Sequence, residues 1–212
     1  MDELSKSIRR EILTEAYKHK HGHIASCFSC VEILLAIKEI MKEGDHFILS
    51  KGHAILAEKA VFGKEISCYK TGSLGHGLGV ACGIALGDLD HNVYVVVGDG
   101  ELQEGSCWEA IQFIINNDIE NVYVFIDANG YQASKKISAF TIQDMLFEST
   151  KTSWITIVDG HNIKELIDAT YPIKICETVK GKGVSFVEAD PVRWHTEIPS
   201  EELYQQALVE LA

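Results

Sequence analysis

The sequence predicts an α/β fold, a mostly parallel central sheet flanked by helices. Three observations carry that expectation. Val93 to Val97 is an uninterrupted apolar, β-branched-rich run closed by Gly98-Asp99-Gly100, the pattern of a strand buried on both faces that opens into a turn. Trp108, Ile111 and Ile115 then recur at helical spacing, with Ala110, Phe113 and Ile114 beside them. Val122 to Ile126 is a second buried run, closed by Asp127-Ala128-Asn129. Strand, helix and strand make a βαβ unit, and ligands of open α/β sheets bind outside the carboxyl ends of the strands. Asp99 and Asn129 are therefore expected at one sheet edge.

The other elements follow in chain order. Leu4, Ile8, Ile12, Leu13 and Tyr17 trace one face with charges opposite, which predicts an amphipathic helix over 3–19. Gly22 ends it, and Val31, Leu34, Leu35 and Ile37 predict a second helix from Ser29 to Met41. His19 and His21 are expected as solvated groups near a helix carboxyl terminus, whose dipole favours them. Phe47 to Leu49 predicts a short strand, and Ser50-Lys51-Gly52 leads into a helix with His53 near its start. A small-residue helix is expected from Leu78 to Leu86. Beyond Tyr131 the pattern predicts a helix over 139–147, a strand from Trp154 to Val158 and a helix containing Lys164 to Ala169. A strand from Ile173 to Val179 and a helix over 199–211 complete the series. Asp159-Gly160-His161-Asn162 reads as turn chemistry, with His161 structural.

Composition sets the outer limits. With 212 residues, 46% of them hydrophobic, the chain can bury one sizeable core but not two independent ones. A net charge of −12, with no dense basic stripe, disfavours nucleic acid and anionic membranes as partners. No apolar run reaches transmembrane length and the amino terminus is charged, so the cytoplasm is the expected location. Six cysteines make no disulfide framework at this length. Cys82, Cys107 and Cys176 are expected as buried small hydrophobes. Cys27 and Cys30 follow three histidines, but a zinc site needs a second ligand pair at fixed spacing, and the remaining cysteines are scattered singly.

Chemistry concentrates at the two strand ends. A carboxylate and a carboxamide oxygen suit a hard divalent cation such as Mg²⁺, and Mg²⁺ usually shares its shell with substrate phosphates. Glycines on both sides of Asp99 let a ligand approach the backbone. A diphosphate is the implied ligand. The alternative for each residue alone is local: Asp99 as a helix cap and Asn129 in a left-handed turn position.

Gly98-Asp99-Gly100, followed about thirty residues later by Asn129, resembles the thiamine-diphosphate motif, and GDGELQEGSCWEA is similar to transketolases in particular. The resemblance implies thiamine diphosphate together with Mg²⁺ or another divalent cation. It assigns the metal to the side chains of Asp99 and Asn129 and the main-chain oxygen of Tyr131, with Gly100 in the cofactor loop. DHFILSKGHAIL at 45–56 resembles the family's strand and turn and gives His53 a role at the diphosphate, fitting for a histidine near a helix amino terminus. Gly72 and Leu74 would offer backbone contacts to the pyrimidine and diphosphate linker. By alignment on Gly22, His23 enters the substrate channel, and Trp194-His195 brings His195 to cofactor and substrate. Both histidines would assist proton movement and alignment beside the sugar. Glu104 corresponds to an interface glutamate that meets a glutamate network of the partner.

Two departures accompany the match. Ala128 stands where the family usually has asparagine, and the interval from Ala60 to Lys70 is too short for the family's Gly-His-Pro motif. His76 occupies the position of a family glutamine. Residues 1–212 would form one diphosphate-binding domain, with the pyrimidine-binding and carboxyl-terminal domains absent from this chain. The resemblance thus implies one component of a split transketolase, which transfers a two-carbon glycolaldehyde unit between sugars expected to be phosphorylated. The glutamate that activates the cofactor must come from a separate pyrimidine-domain chain, in a heterotetramer built on a homodimer of this one. Two other readings stay open: another two-component thiamine-diphosphate lyase or synthase making a specialised sugar, and a regulatory partner without turnover. The latter would have no chemical need for Asp99, Asn129, His53 and His195 together.

Overall fold

The computed structural model describes residues 1–70, 72–137 and 153–212. In it the two apolar runs become neighbouring strands. β1 (His46–Leu49), β2 (Val93–Gly98), β3 (Val122–Ala128), β4 (Ile155–Asp159) and β5 (Ile173–Glu177) form a sheet in the order β1-β2-β3-β5-β4. Every pairing is parallel, and the register sets Val95 opposite Val124 and Gly98 opposite Asp127. Successive strand side chains point to opposite faces. Tyr94, Val96, Phe125 and Cys176 accordingly join one core, while Val95, Val97, Val124 and Ile126 join the other.

Helices cover both faces, which is why the strands read as continuous apolar runs. On the first face lie α1 (Glu3–His19), α2 (Ile24–Ser29), α3 (Val31–Ile40) and α4 (Ile55–Phe62), joined by α7 (Ile163–Asp168), α8 (Ser185–Ala189) and α9 (Glu201–Glu210). The second face carries α5 (Gly77–Gly87) and α6 (Gly105–Asn116). Asp2 caps α1 by accepting from the Ser5 N–H at 2.7 Å, and the helix ends at Lys20 in the left-handed region (φ 53°).

The helix expected from Ser29 to Met41 forms as α3, from Val31 to Ile40. A separate helix, α2, already begins at Ile24, and Cys30 (φ −103°, ψ 11°) parts it from α3. At the junction the single proton of the Ser29 hydroxyl serves Asp127 at 2.6 Å, with the Ser26 carbonyl 3.1 Å away, a side-chain contact that sequence periodicity does not register. The last strand ends at Glu177 instead of Val179, because its register partners there, Ala128 and Asp159, are the last residues of β3 and β4, and α8 has no counterpart among the expected elements. His21 is half-buried, unlike the exposed His19, with its ring 6.0 Å from that of His23. The helix expected over 139–147 lies outside the described residues.

One buried polar chain ties the first layer together. Arg9, fully buried on α1, donates to both carboxylate oxygens of Glu32 on α3 at 2.7 Å and to the Phe28 carbonyl at 2.7 Å. His161, in the turn after β4, lies 2.9 Å from the same carboxylate. Burial alone would raise the Glu32 pKa, but the hydrogen bonds from His161 and Arg9 and the Arg9 charge hold it down at about 2. A depressed carboxylate contributes stability that is fully present above its unfolded value and is lost as pH falls through its folded one. Urea unfolding should therefore show Glu32 costing the chain about 3 kcal/mol between pH 4.5 and pH 2. In Glu32→Gln this acid-dependent loss should be absent, on top of a lower stability at neutral pH from the unpaired Arg9.

Candidate active site

The site is built where β2 and β3 end side by side. Past β2, Asp99 accepts from the Gly100 N–H at 2.7 Å and from the Gly130 N–H, in the turn after β3, at 2.5 Å. The Asn129 side-chain oxygen accepts from the Tyr131 N–H at 3.1 Å, while its amide donates to Asp127 at 3.2 Å. Gly130 takes φ 79° to make this turn. Gly100 is required by closeness: a Cβ there would meet the Gln132 Cβ at 3.0 Å and the Tyr131 carbonyl at 3.7 Å. Two strand-end loops thus bring Asp99, Asn129 and the Tyr131 main chain into one region.

Beneath them lies a buried ion pair. Lys51, 1% exposed just past β1, donates to the fully buried Asp127 and to the Ser26 carbonyl at 2.9 Å. Ser29 and Thr178 also donate to Asp127, at 2.6 and 2.5 Å. Burial would raise the Asp127 pKa, but the Lys51 charge and these hydrogen bonds hold it low; for Lys51, Asp127 likewise overrides burial and raises the pKa. Asp99 makes no ion pair among the described residues, and Lys51 acts on it only weakly from further away. Burial and the Asp127 charge push it up to about 7, against the two backbone N–H bonds.

Three imidazoles face one another across the cleft. The ring centroids of His23, His53 and His195 lie 4.9 to 5.5 Å apart. His23 sits in the left-handed region (φ 70°), where a non-glycine residue is strained, and its N–H donates to the His195 carbonyl at 3.0 Å. His195 Nδ1 shares a 3.2 Å hydrogen bond with Ser26. Burial, then neighbouring positive charge, lowers His53 to about 2 and His195 to about 4, and burial also lowers His23. All three rings are neutral at pH 7.

These groups border an open cleft of about 690 Å³. It is lined by every position that the sequence marked: His23, His53, Gly72, Leu74, Asp99, Gly100, Glu104, Asn129, Tyr131 and His195. His76 is exposed at the start of α5 and faces a different groove. Cys27 and Cys30 are buried free thiols whose pKa values burial raises to about 11 and 12, and no metal-holding cluster of His, Cys, Asp or Glu occurs among the described residues.

Besides Lys51, three charged residues at the site went unassigned in the sequence. Lys180, 3% exposed, lines the cleft with its amine 3.3 Å from the Gln132 carbonyl; burial and then Lys51 lower it to about 8. Glu101 is buried and accepts from Ser50, from the Gly75 N–H at 2.9 Å and from the Gly98 N–H at 3.3 Å, which ties the Gly72–Gly75 loop to the ends of β1 and β2. Asp127 is the third. Its position two residues before Asn129 was the available signal, because a carboxylate at the last turn of a buried strand must find a cation.

The residue set fits a divalent cation with a diphosphate. Its oxygen donors are hard, Asp99 is a desolvated carboxylate whose charge a cation would relieve, and the buried Nδ1 of His23 has no hydrogen-bond partner among the described residues. The Lys180 amine has no carboxylate within salt-bridge distance among the described residues, so it is available to an anion.

Comparison with known proteins agrees with this geometry. Residues 40–201 match the family model described as "Thiamine pyrophosphate enzyme, C-terminal TPP binding domain". The chain belongs to the thiamine-pyrophosphate enzymes. Within them it is a transketolase-type chain. It is 30% identical to the 6-deoxy-6-sulfo-D-fructose transketolase subunit SqwG of a Clostridium species, over 96% of this chain and 93% of that protein. It is 29% identical to one of the subunits of the apulose-4-phosphate transketolase of Phocaeicola vulgatus, over 98% and 92%. Human transketolase is 31% identical over 90% of this chain, but the match spans only 38% of the human protein. The crystal structure of Campylobacter jejuni transketolase superposes with a TM-score of 0.80 at 20% identity, covering 99% of this chain and 42% of that one.

Removing the Lys51 charge tests the buried pair. Lys51→Met should lower the unfolding free energy by about 3 kcal/mol, since it leaves a buried carboxylate without its cation. Denaturant titration at pH 7 measures the loss.

Proposed function

We propose that this chain is the diphosphate-binding subunit of a split transketolase, which moves a two-carbon glycolaldehyde unit from a ketose to an aldose together with a pyrimidine-domain partner. The observation that carries the reading is the convergence of Asp99, Asn129 and the Tyr131 main chain with His23, His53 and His195 on one cleft. Asp99, Asn129 and the Tyr131 carbonyl would hold Mg²⁺ or another divalent cation, and His53 and Lys180 would face the diphosphate. When bound, thiamine diphosphate supplies the carbon nucleophile that accepts the two-carbon unit. His23 and His195, neutral at pH 7, can each accept or donate a proton at a sugar hydroxyl. The Lys51–Asp127 pair orients the Asn129 amide by fixing the carboxylate to which it donates.

The subunit character rests on two supports. The two relatives that this chain nearly spans are named as transketolase subunits. Glu104 is exposed beside the groove between α5 and α6, where Leu86 is 53% and Phe113 42% exposed, an apolar surface suited to a protein partner. We place a homodimer of this chain within a heterotetramer. The relatives' names point to a specialised anionic ketose as donor, a sugar phosphate or its like. All six cysteines are free thiols, in keeping with a reducing cytoplasm, and no described helix is long and apolar enough to cross a membrane.

Asp99→Ala should abolish Mg²⁺-dependent binding of thiamine diphosphate while leaving the circular dichroism spectrum unchanged; calorimetry with unchanged affinity would refute the metal assignment. His53→Ala should weaken cofactor binding more than it raises the KM for sugar. The chain alone, given Mg²⁺, thiamine diphosphate and a mixture of ketose and aldose phosphates, should show no ketol transfer until the pyrimidine-domain chain is added. Turnover by the chain alone at an ordinary enzymatic rate, about 1 to 1,000 per second, would overturn the subunit reading.

A further inference from the structure

The Asp159-Gly160-His161-Asn162 turn does more than local turn chemistry requires. Asp159 accepts from the His161 N–H at 2.8 Å and Asn162 caps α7 through the Glu165 N–H, which accounts for the aspartate and the asparagine. The histidine side chain and the glycine are left over. Both are directed at the segment that follows β5.

His161 Nε2 accepts from the Val179 N–H at 2.8 Å. A ring nitrogen that accepts from a backbone N–H carries no proton, so the proton sits on Nδ1 and is donated to Glu32, 2.9 Å away. Glu32 is in turn fixed by two hydrogen bonds from the fully buried Arg9. Arg9, Glu32 and His161 thus form one oriented chain that ends on a single backbone amide. Gly160 acts on the same segment. Its N–H donates to the Glu177 carbonyl at 2.8 Å, and a Cβ there would collide with Thr178 Cγ2 and stand 2.9 Å from that carbonyl.

The segment they hold carries site residues on both sides of Val179. Thr178 donates to Asp127 at 2.5 Å, and Lys180 is buried in the cleft wall. Val179 itself is 38% exposed, so packing does not anchor it. Its carbonyl accepts from the Lys182 N–H at 3.2 Å, the flanking Thr178 and Gly181 N–H groups donate to the Ala128 and Ala25 carbonyls at 3.3 and 3.0 Å, and its own N–H bond to His161, at 2.8 Å, is the shortest of these backbone bonds and the one made to a side chain.

We propose that His161 is a positioning residue for the diphosphate site, acting through the Val179 amide to place Lys180. The inference rests on the cofactor reading above, which the same experiment tests separately. Asparagine and glutamine divide the two functions of the ring. The glutamine amide reaches the place of Nε2 and can still accept from Val179; the asparagine amide reaches the place of Nδ1 and can still donate to Glu32. A residue that served only the buried Arg9–Glu32 pair would be better replaced by asparagine.

The experiment titrates Mg²⁺ with inorganic diphosphate into the full chain and its variants by calorimetry, with melting temperatures measured in parallel. His161→Gln should bind within about threefold of the unmodified chain, and His161→Asn about tenfold more weakly, the loss of one hydrogen bond to a charged site's support. In a Lys180→Met background the difference between the two substitutions should vanish, since the positioned group is gone. Hydrogen exchange gives a second measure: the Val179 amide should be protected in the unmodified chain and in His161→Gln, and exposed in His161→Asn. Equal affinities for the Asn and Gln variants, or a difference that persists without Lys180, would overturn the proposal. Failure of the unmodified chain to bind Mg²⁺ and diphosphate would instead remove the cofactor reading on which it stands.

Discussion

The Lys51–Asp127 ion pair is the constraint on which the site depends. A charge cannot be moved into a protein interior unless it is paired and hydrogen-bonded, and here the pair is completed by Ser26, Ser29, Thr178 and Asn129. These groups come from well-separated parts of the chain. Ser26 and Ser29 belong to α2, Thr178 follows β5, Lys51 follows β1, and Asn129 begins the turn after β3. Satisfying one buried carboxylate therefore fixes the relative positions of all these segments at the carboxyl edge of the sheet. The junction at Cys30 lies beside the same arrangement, since Ser29, the last residue of α2, sends its hydroxyl to Asp127.

The cleft carries charge of both signs, with Lys51 and Lys180 lining it beside Asp99, Glu101 and Glu104. The chain carries a net charge of −12, yet the cleft holds the cation Lys180 near three imidazoles that are kept neutral. Burial is the first cause for all three rings, and neighbouring cations add to it. Such a site attracts an anion by local charge and not by the long-range field of the protein. Asp99 is the complement. Its desolvated carboxylate lies close to a second carboxylate, and a divalent cation would relieve both the burial and the repulsion.

Strain and support are distributed in a consistent way. His23 occupies a left-handed backbone conformation and borders the cleft with a nitrogen unpartnered among the described residues, whereas His161, behind the wall, has both ring nitrogens engaged. The first is a side chain held ready for something not of this chain; the second is committed to the protein itself. That contrast separates two histidines that look alike as isolated letters in turn-forming sequences.

Much of the architecture was legible because it is governed by local physics. Strands buried on both faces must be apolar throughout, so Val93–Val97 and Val122–Ile126 declared themselves, and parallel connectivity placed Asp99 and Asn129 at one edge. Glycines around Asp99 likewise marked its position, and the resemblance of the segments around His53 and His195 to transketolases marked theirs. What the sequence could not determine is which distant groups would satisfy one another's buried charge. Lys51 and Asp127 stand 76 residues apart, and Glu32 meets His161 across 129 residues. No periodicity or spacing encodes these pairs, since the penalty that selects them exists only once water has been excluded. The sequence by itself determined the layers and the location of the site; the tertiary structure decided how Lys180, Glu101 and the three imidazoles are held there, because burial sets their hydrogen bonds and protonation.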